Sequence, residues 1–445
     1  MCGIWVSLGS KTSRRHLDCI SHRGPDDDGW EEFPHGDRWL TMGHRRLSIL
    51  DLSEAGHQPM RSRDDRFSIV FNGEIYNHGL LRDRLECDGV HLRSTCDTEV
   101  LLETFAKRGV DCLADLQGMF GFVAYDHSRR VITAVRDRFG IKPLYMIRAE
   151  GEIAFASEIK QFIDFAGFRA RIDARSAFDF LASGFLDHTD RTMFDGVTQI
   201  DPGSLVEIDV DSMKIRTRRW YELPAPGSIE CSSREAAERY GNILRESVGM
   251  HVVADVPVGS CLSGGLDSSS IVCLMRDHLG EQAEVHTITA RYEHQRVDEG
   301  HHAAMVADAV GAMPHEIYPD WNDCFETARK ITWHQDEPFG STSIFAQWKV
   351  FEAARRQGLK VMLDGQGADE PLGGYHGLIP IRLAELVRSR RMISYATEVG
   401  FGRLRHGRPI SRELASRFVP TRIQQRFTKR YGSSPDDPLG WMRSV

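Results

Sequence analysis

Residues 255–280 read DVPVGSCLSGGLDSSSIVCLMRDHLG. The opening DVPVGSCLS is an apolar run of the kind that forms a strand buried on both faces. The closing SSSIVCLMRDHLG puts Ile271, Leu274, Met275 and Leu279 on one face of a helix. The turn between them, SGGLDSS (263–269), is rich in glycine and hydroxyl groups. Glycines let backbone N–H groups come close to an anion, the serines add donors, and the helix N-terminus adds partial positive charge. No GK[ST] follows, so this is not a Walker A loop. Asp267 would repel a phosphate unless a cation lay between them, which points to Mg²⁺. The same pattern continues downstream. EVHTITA, HEIYP and KVMLDG read as strands, and EGHHAAMVADAVG and TSIFAQWKVFEAARRQG as helices, the second with Ile344, Phe345, Trp348 and Phe351 on one stripe. Strand–helix alternation with apolar strands predicts an α/β parallel sheet covered on both faces.

LDGQGADEPLGGY (363–375) follows the last of these strands. Ligands of open parallel sheets bind at the carboxyl ends of the strands, so Asp369 is expected to meet Asp267 around a metal there. An ordinary turn with acids capping the next helix is the plainer alternative.

Upstream the style changes. WLTMGHRRLSIL, RFSIVFNGEIY, MFGFVAYD, RVITAVRD and EIAFAS are β-branched or aromatic runs closed by turn residues. A hairpin turn is expected over 126–129, and helices near 77–86 and 98–107, the second with Asp97 as N-cap and Gly109 as stop. Such a pattern predicts an α+β layered domain. The boundary falls in WYELPAPGSIECSS (220–233).

The chain starts MCGIWVSLG. With Met1 removed, Cys2 carries a free α-amine beside its own thiol, and an amine with pKa of about 7.7–8.0 can serve as its base. The alternative is a small residue before a strand.

Composition bounds the function. The 445 residues suffice for two domains, and 56 Lys and Arg against 64 Asp and Glu, net −8, give no nucleic-acid signature. Residues 381–445 carry 14 Lys or Arg against 5 Asp or Glu, which reads as a solvated helical surface. No apolar stretch is long enough to span a membrane, and no secretory signal is visible. Nine scattered cysteines without a CxxC pair point to reduced thiols in a cytoplasm rather than a disulfide framework or zinc site.

SGGLDSS resembles the pyrophosphate loop of the N-type ATP pyrophosphatases. Together with CGI at the start, it resembles the glutamine-hydrolysing asparagine synthetases. HRGPDDDG (22–29), GHRRLSILD (43–51), FNGEIYN (71–77), CDTEV (96–100), DLQGMFGFVAYD (115–126) and RDRFGIKPLY (136–145) follow that family's order.

The resemblance implies an αββα N-terminal-nucleophile glutaminase domain over 2–215 and an ATP pyrophosphatase domain, short at its end, over 234–445. Cys2 would attack the side-chain amide of glutamine. Asn72 and the Gly73 N–H would stabilise the oxyanion. Arg46 would grip the α-carboxylate, and Glu74 and Asp97 the α-ammonium. In the second half Leu262, Ser263, Gly264, Gly265, Asp267, Ser268, Ser269, Ala290, Asp364, Gly365 and Gln366 would hold ATP, with Mg²⁺ on Asp267 and Asp369. A carboxylate, aspartate or another, would be activated as an adenylate and attacked by ammonia carried inside the protein. Asp298, Glu299, Asp336 and Glu337 also resemble family positions, although helix capping accounts for them too. A cytoplasmic homodimer without nucleic-acid or membrane partners is the expected setting.

Two departures stand out. Gln366 replaces a glutamate thought to handle the proton as ammonia attacks, and glutamine cannot accept one at physiological pH. No (E)ARVPFLD-like segment follows Tyr375. Both lead to the expectation of glutamine hydrolysis with little or no asparagine formed. The alternatives are a related amidotransferase with another acceptor, or a glutaminase or binding paralogue with a defective synthetase site.

Overall fold

The structure, a computed structural model, describes residues 1–225, 227, 229–292, 298–375 and 378–406. The chain forms two compact units, Met1–Asp364 and Gly365–Val445.

The first unit holds three sheets. The strands of the first two are β1 (Gly3–Gly9), β2 (Asp27–His35), β3 (Arg38–Arg46), β4 (Met60–Arg61), β5 (Phe67–Ile75), β6 (Gly118–Asp126), β7 (Val131–Arg136), β8 (Tyr145–Ala149), β9 (Glu152–Ala156), β10 (Val197–Gln199), β11 (Ser204–Asp209) and β12 (Ile215–Arg219). They form six-stranded sheets in the orders β10-β8-β9-β1-β3-β2 and β12-β11-β7-β6-β5-β4.

Alternation along the strands explains the layering. Ile4, Val6 and Leu8 of β1 share one apolar cluster with Val70 of β5 and Val123 of β6, which fills the space between the sheets. Trp5 points the other way, into a cluster with Leu17, Ile20, Ile159 and Phe162. On the outer face of the second sheet, Ile69 and Phe71 pack with Leu81, Leu85, Val100, Leu101 and Phe105. These come from helices α2 (His78–Cys87) and α3 (Asp97–Arg108), which follow the short α1 (Arg15–Asp18). The helix–sheet–sheet–helix sandwich is therefore the N-terminal-nucleophile type.

Asp97 is the first residue of α3 rather than its cap, which is Cys96. Its carboxylate accepts the Ile75 N–H at 3.0 Å instead. Gly109 ends the helix at φ 59°, as expected. After α4 (Ala174–Ser183) and α5 (Ser233–His251) come β13 (Val258–Cys261), α6 (Leu266–Leu279), β14 (His286–Ala290), α7 (Gly300–Val310), β15 (Met313–Ile317), α8 (Cys324–Gln335), α9 (Ser343–Arg356) and β16 (Val361–Leu363). The four strands form a parallel sheet in the order β15-β14-β13-β16.

Met275 of α6, with Ile271, Leu274 and Leu279, packs on one side of this sheet against Val258, Val285 and Leu363. On α9 the expected stripe is rotated. Phe345 is buried, but Phe351 is 44% exposed, and Val350, Ala353 and Ala354 face Ile288 instead. Small residues at these positions let the helix lie close to the strand, which a count of large side chains misses.

Within this unit the parallel sheet is tied to the sandwich. The Asp255 N–H donates to the Ile49 carbonyl at 2.9 Å, and its carboxylate accepts the Asp51 N–H at 2.8 Å. Tyr76 stacks on His251 with ring centroids 3.7 Å apart.

The second unit contains α10 (Asp369–Leu372), α11 (Ile379–Arg388) and α12 (Met392–His406). Leu383 and Leu386 pack there with Tyr395 and Val399. Most of the basic tail, beyond residue 406, lies outside the described residues, as do residues 226 and 228 of the expected boundary. Among the described residues no helix is long and apolar enough to cross a membrane.

Candidate active site

β1 delivers Cys2 to the edge of the space between the two sheets. Gly3 pairs with Arg45 in the antiparallel β1–β3 register, so Cys2 meets the chain just after β3. The Leu47 N–H donates to Cys2 Sγ at 3.4 Å. Burial pushes the thiol up, while the neighbouring terminal amine draws it down. Burial also pulls the Met1 amine down to about 5, which keeps it neutral near pH 7.

β5 supplies the next three residues. Val70 faces the inter-sheet cluster, so Asn72 and Glu74 share its face. Asn72 is 1% exposed, and neither its Nδ2 nor its Oδ1 has a hydrogen-bond partner in the described structure. A buried carboxamide without partners is costly, unless it awaits a ligand. Gly73 pairs with Phe120 of β6, and a Cβ there would lie 2.7 Å from the Phe120 Cα, so only glycine fits.

Burial, and next the charge of Asp97, push Glu74 up to about 7. Burial raises Asp97 as well. Two carboxylates in one desolvated place favour a cation between them. Arg46, 5% exposed, donates from Nη1 to the Ser53 carbonyl at 2.7 Å and from Nη2 to the Leu50 carbonyl at 3.3 Å and to the Asp51 carbonyl. These bonds hold the loop over 50–53 and leave two of its five N–H groups for a carboxylate.

The surroundings fix this arrangement. Gln58 accepts the Phe71 N–H at 2.7 Å and donates to Thr98 Oγ1 at 3.2 Å, linking β5 to the start of α3. His44 bonds the Phe71 carbonyl at 3.0 Å, and burial drives it down to about 3, so it stays neutral.

Several residues went unassigned in the sequence. Arg23, within HRGPDDDG, donates from Nε to the Cys2 carbonyl at 2.8 Å. Asp137, within RDRFGIKPLY, accepts the N–H groups of Phe120, Phe139, Ile141 and Lys142 at 2.9–3.1 Å. Lys142 is 7% exposed, and burial lowers it despite the charges of Glu74 and Cys2 nearby. The motifs flagged these segments, but charge alone did not mark the residues as buried.

At the other sheet, β13 ends at Cys261, and Leu262 leads into the loop. Leu262 is buried in a cluster with Val272, Ala303 and Ala307. Gly264 has φ 90°, and a Cβ there would lie 2.6 Å from the Glu299 carbonyl oxygen. Ser268 Oγ receives the Ser263 N–H at 3.2 Å and lies 3.1 Å from Ser263 Oγ. Gly265 caps α6 without a side-chain hydrogen bond, so the first-turn N–H groups are open to an anion. Asp267 and Ser269 lie in that first turn.

Ala290 ends β14, next to Arg291, which pairs with Asp298 at 2.9 Å and with Glu316 at 2.5 Å. Asp298 thus anchors Arg291. Glu299 precedes α7 as its N-cap without a side-chain hydrogen bond. Asp364 follows β16 and accepts from Gln347 Nε2 at 3.2 Å. In the second unit, the Ala368 N–H donates to the Gly365 carbonyl at 3.3 Å, the turn between them includes Gln366, and Asp369 opens α10. Among the described residues no three His, Cys, Asp or Glu side chains form a metal cage. A Mg²⁺ shared with phosphates needs only one or two carboxylates, so Asp267 at an uncapped helix start fits that ion.

A nucleophile-strand sandwich, followed by a parallel sheet with a glycine-rich phosphate loop, defines a glutamine amidotransferase joined to an ATP-pyrophosphatase-type domain. Residues 1–221 match the family model of the glutamine amidotransferase domain, and residues 239–401 that of asparagine synthase. A putative asparagine synthetase [glutamine-hydrolyzing] 2 of Methanocaldococcus jannaschii is 33% identical over 397 residues, 84% of this chain and 76% of that protein. Asparagine synthetase [glutamine-hydrolyzing] 1 of Bacillus subtilis is 33% identical over 359 residues, 80% of this chain and 54% of its own length. Amidase chyE of Penicillium rubens is 30% identical over 413 residues, 87% of this chain and 60% of that one. The chain belongs to the glutamine-hydrolysing asparagine synthetase family, and its match spans from about half to three quarters of these relatives.

Proposed function

We propose that this chain hydrolyses glutamine at Cys2 and passes the ammonia to a carboxylate that ATP has activated. The observation that carries the reading is Asn72, a buried carboxamide with both polar atoms unpartnered on the strand face beside the nucleophile's sheet. With Met1 removed, the α-amine of Cys2 takes the thiol proton as sulfur attacks the amide carbon. The oxyanion is met by Asn72 Nδ2 and the Gly73 N–H. The C–N bond breaks, ammonia leaves with the transferred proton, and water then cleaves the thioester to glutamate. Glu74 and Asp97 receive the α-ammonium, and the two spare N–H groups of Arg46 the α-carboxylate.

The loop 263–269 receives the phosphates of ATP. Leu262 and Ala290 lie near the adenosine. Asp267 would hold a Mg²⁺, which would supply charge neutralisation for the phosphates. Aspartate is the first acceptor to test, because most of the relatives named above are asparagine synthetases; a relative named as an amidase makes other carboxylates the second set. Residues 2–215 and 234–445 are the two functional domains, and a cytoplasmic homodimer is the expected form.

The test compares wild type with Cys2→Ala. Intact mass shows whether Met1 is gone, and glutamate release shows the glutaminase. Retained Met1 with full activity, or undiminished hydrolysis in the variant, refutes the assignment.

A further inference from the structure

The QDEP segment places two acids, Asp336 and Glu337, just after α8, and neither lies at the phosphate loop. Both reach into the sandwich. Glu337 Oε1 accepts the Met193 N–H at 2.6 Å. Asp336 Oδ1 pairs with Lys160 Nζ at 3.0 Å, and its Oδ2 accepts the Lys160 N–H at 3.2 Å. Lys160 also pairs with Glu158. All three side chains are under a tenth exposed.

Glu158 extends the chain of contacts to the nucleophile. Its Oε1 receives Arg23 Nη1 at 2.9 Å and His22 Nε2 at 2.9 Å, and Arg23 Nε holds the Cys2 carbonyl. The same turn grips the start of β1 twice more. Ser157 Oγ accepts the Ile4 N–H at 2.9 Å, and Gln161 Nε2 donates to the Ile4 carbonyl at 3.0 Å.

We propose that Lys160 is a positioning residue for Cys2, set in place by Asp336, so that the region matching asparagine synthase holds the glutaminase nucleophile at its working position. This rests on the reading of Cys2 as the nucleophile. Asp336 and Glu158 share one ammonium. With Asp336 in place, Lys160 bridges the two acids and Glu158 keeps one oxygen for Arg23. Without it, the ammonium is drawn wholly to Glu158 and pulls that carboxylate off Arg23, which frees the Cys2 carbonyl. Burial works against ionised Glu158, yet His22, Arg23 and Lys160 hold it down to about 2, whereas burial pushes Asp336 up despite Lys160.

The test measures glutamine hydrolysis without ATP in the full chain. Asp336→Asn should lower kcat about 10- to 100-fold, the scale of a small misplacement of a reacting group, with KM for glutamine within about twofold. Alkylation of Cys2 by iodoacetamide should slow in parallel. Lys160→Met should do the same, and circular dichroism shows whether it folds; Asp336→Asn decides if it does not.

The control is Lys360→Met. It breaks the Lys360–Asp26 pair at 2.8 Å, which joins the same two regions at a more exposed place, and should leave kcat unchanged. An unchanged kcat in Asp336→Asn, a rise in KM alone, or an equal loss in Lys360→Met overturns the proposal while leaving the Cys2 reading intact. A wild-type protein that releases no glutamate overturns both.

Discussion

In the proposed reading Asn72→Ala removes one oxyanion donor, and losses of this kind cost about 10²–10³ in kcat, or about 2.7–4 kcal/mol. Steady-state kinetics should show the drop in kcat with folding intact, because the lost amide has no partner to leave stranded. Glu74 gives a pH signature. It sits at about 7 instead of 4.5, so below neutrality it is protonated and a poor partner for an ammonium. Glutamine bound to the Cys2→Ala variant should therefore tighten as pH rises from 5 to 7 and then level off, and Glu74→Gln should flatten the profile; calorimetric titration reads both. For stability the sign is opposite. The free fold takes up a proton at Glu74, so its contribution is present below about 4.5 and lost as pH rises through about 7.

At the scale of elements, Asp137, 1% exposed, gathers the segment 137–142 through the N–H groups of Phe139, Ile141 and Lys142 and ties it to β6 through that of Phe120. Asp137→Ala should cost roughly 3–5 kcal/mol, because buried donors are left without an acceptor. Urea unfolding measures this, and Asp137→Asn should recover part of it.

The strands β1, β3, β5, β6, β7 and β9 were legible in the sequence as apolar, β-branched or aromatic runs, whereas β8 and β11, which also lie inside their sheets, were not marked. The strand β2, DDGWEEFPH, was not, since acids and a proline mask a half-exposed strand. The alternation of strand and helix gave the parallel sheet, and short motifs gave Cys2, Asn72, Gly73 and the phosphate loop. Asp137, Glu158 and Lys160 are common residue types whose meaning comes from burial, which only tertiary packing supplies. The α9 stripe failed for a related reason. Alanines, not Phe351, meet the sheet.

For the whole molecule, Asp267→Asn should remove much of the Mg²⁺-dependent part of ATP affinity, since a neutral amide is a poorer ligand for that ion. Equal titrations of the two proteins with Mg-ATP would count against this placement. Gly264→Ala should weaken ATP binding in the presence and in the absence of Mg²⁺, because φ 90° and the Glu299 carbonyl leave no room for a methyl group. Following glutamate, AMP and acceptor amide together, with aspartate first and other carboxylates next, tells which acceptor is used. AMP formed in step with asparagine identifies aspartate. AMP formed only with another acid reassigns it.

The strand β5 also acts as a ruler. Asn72 and Glu74 stand on one face two residues apart, which fixes their Cα atoms about 6.8 Å from each other. In the proposed reading one post meets the amide oxygen of glutamine, and the other its ammonium. The strand holds this span, because its register with β6 runs unbroken from Phe67 to Ile75. An amino acid one methylene shorter than glutamine is expected to reach one post only at the expense of the other. In this reading asparagine, the amide that the second half of the chain would make from aspartate, is expected to be spared by the first half because of its length.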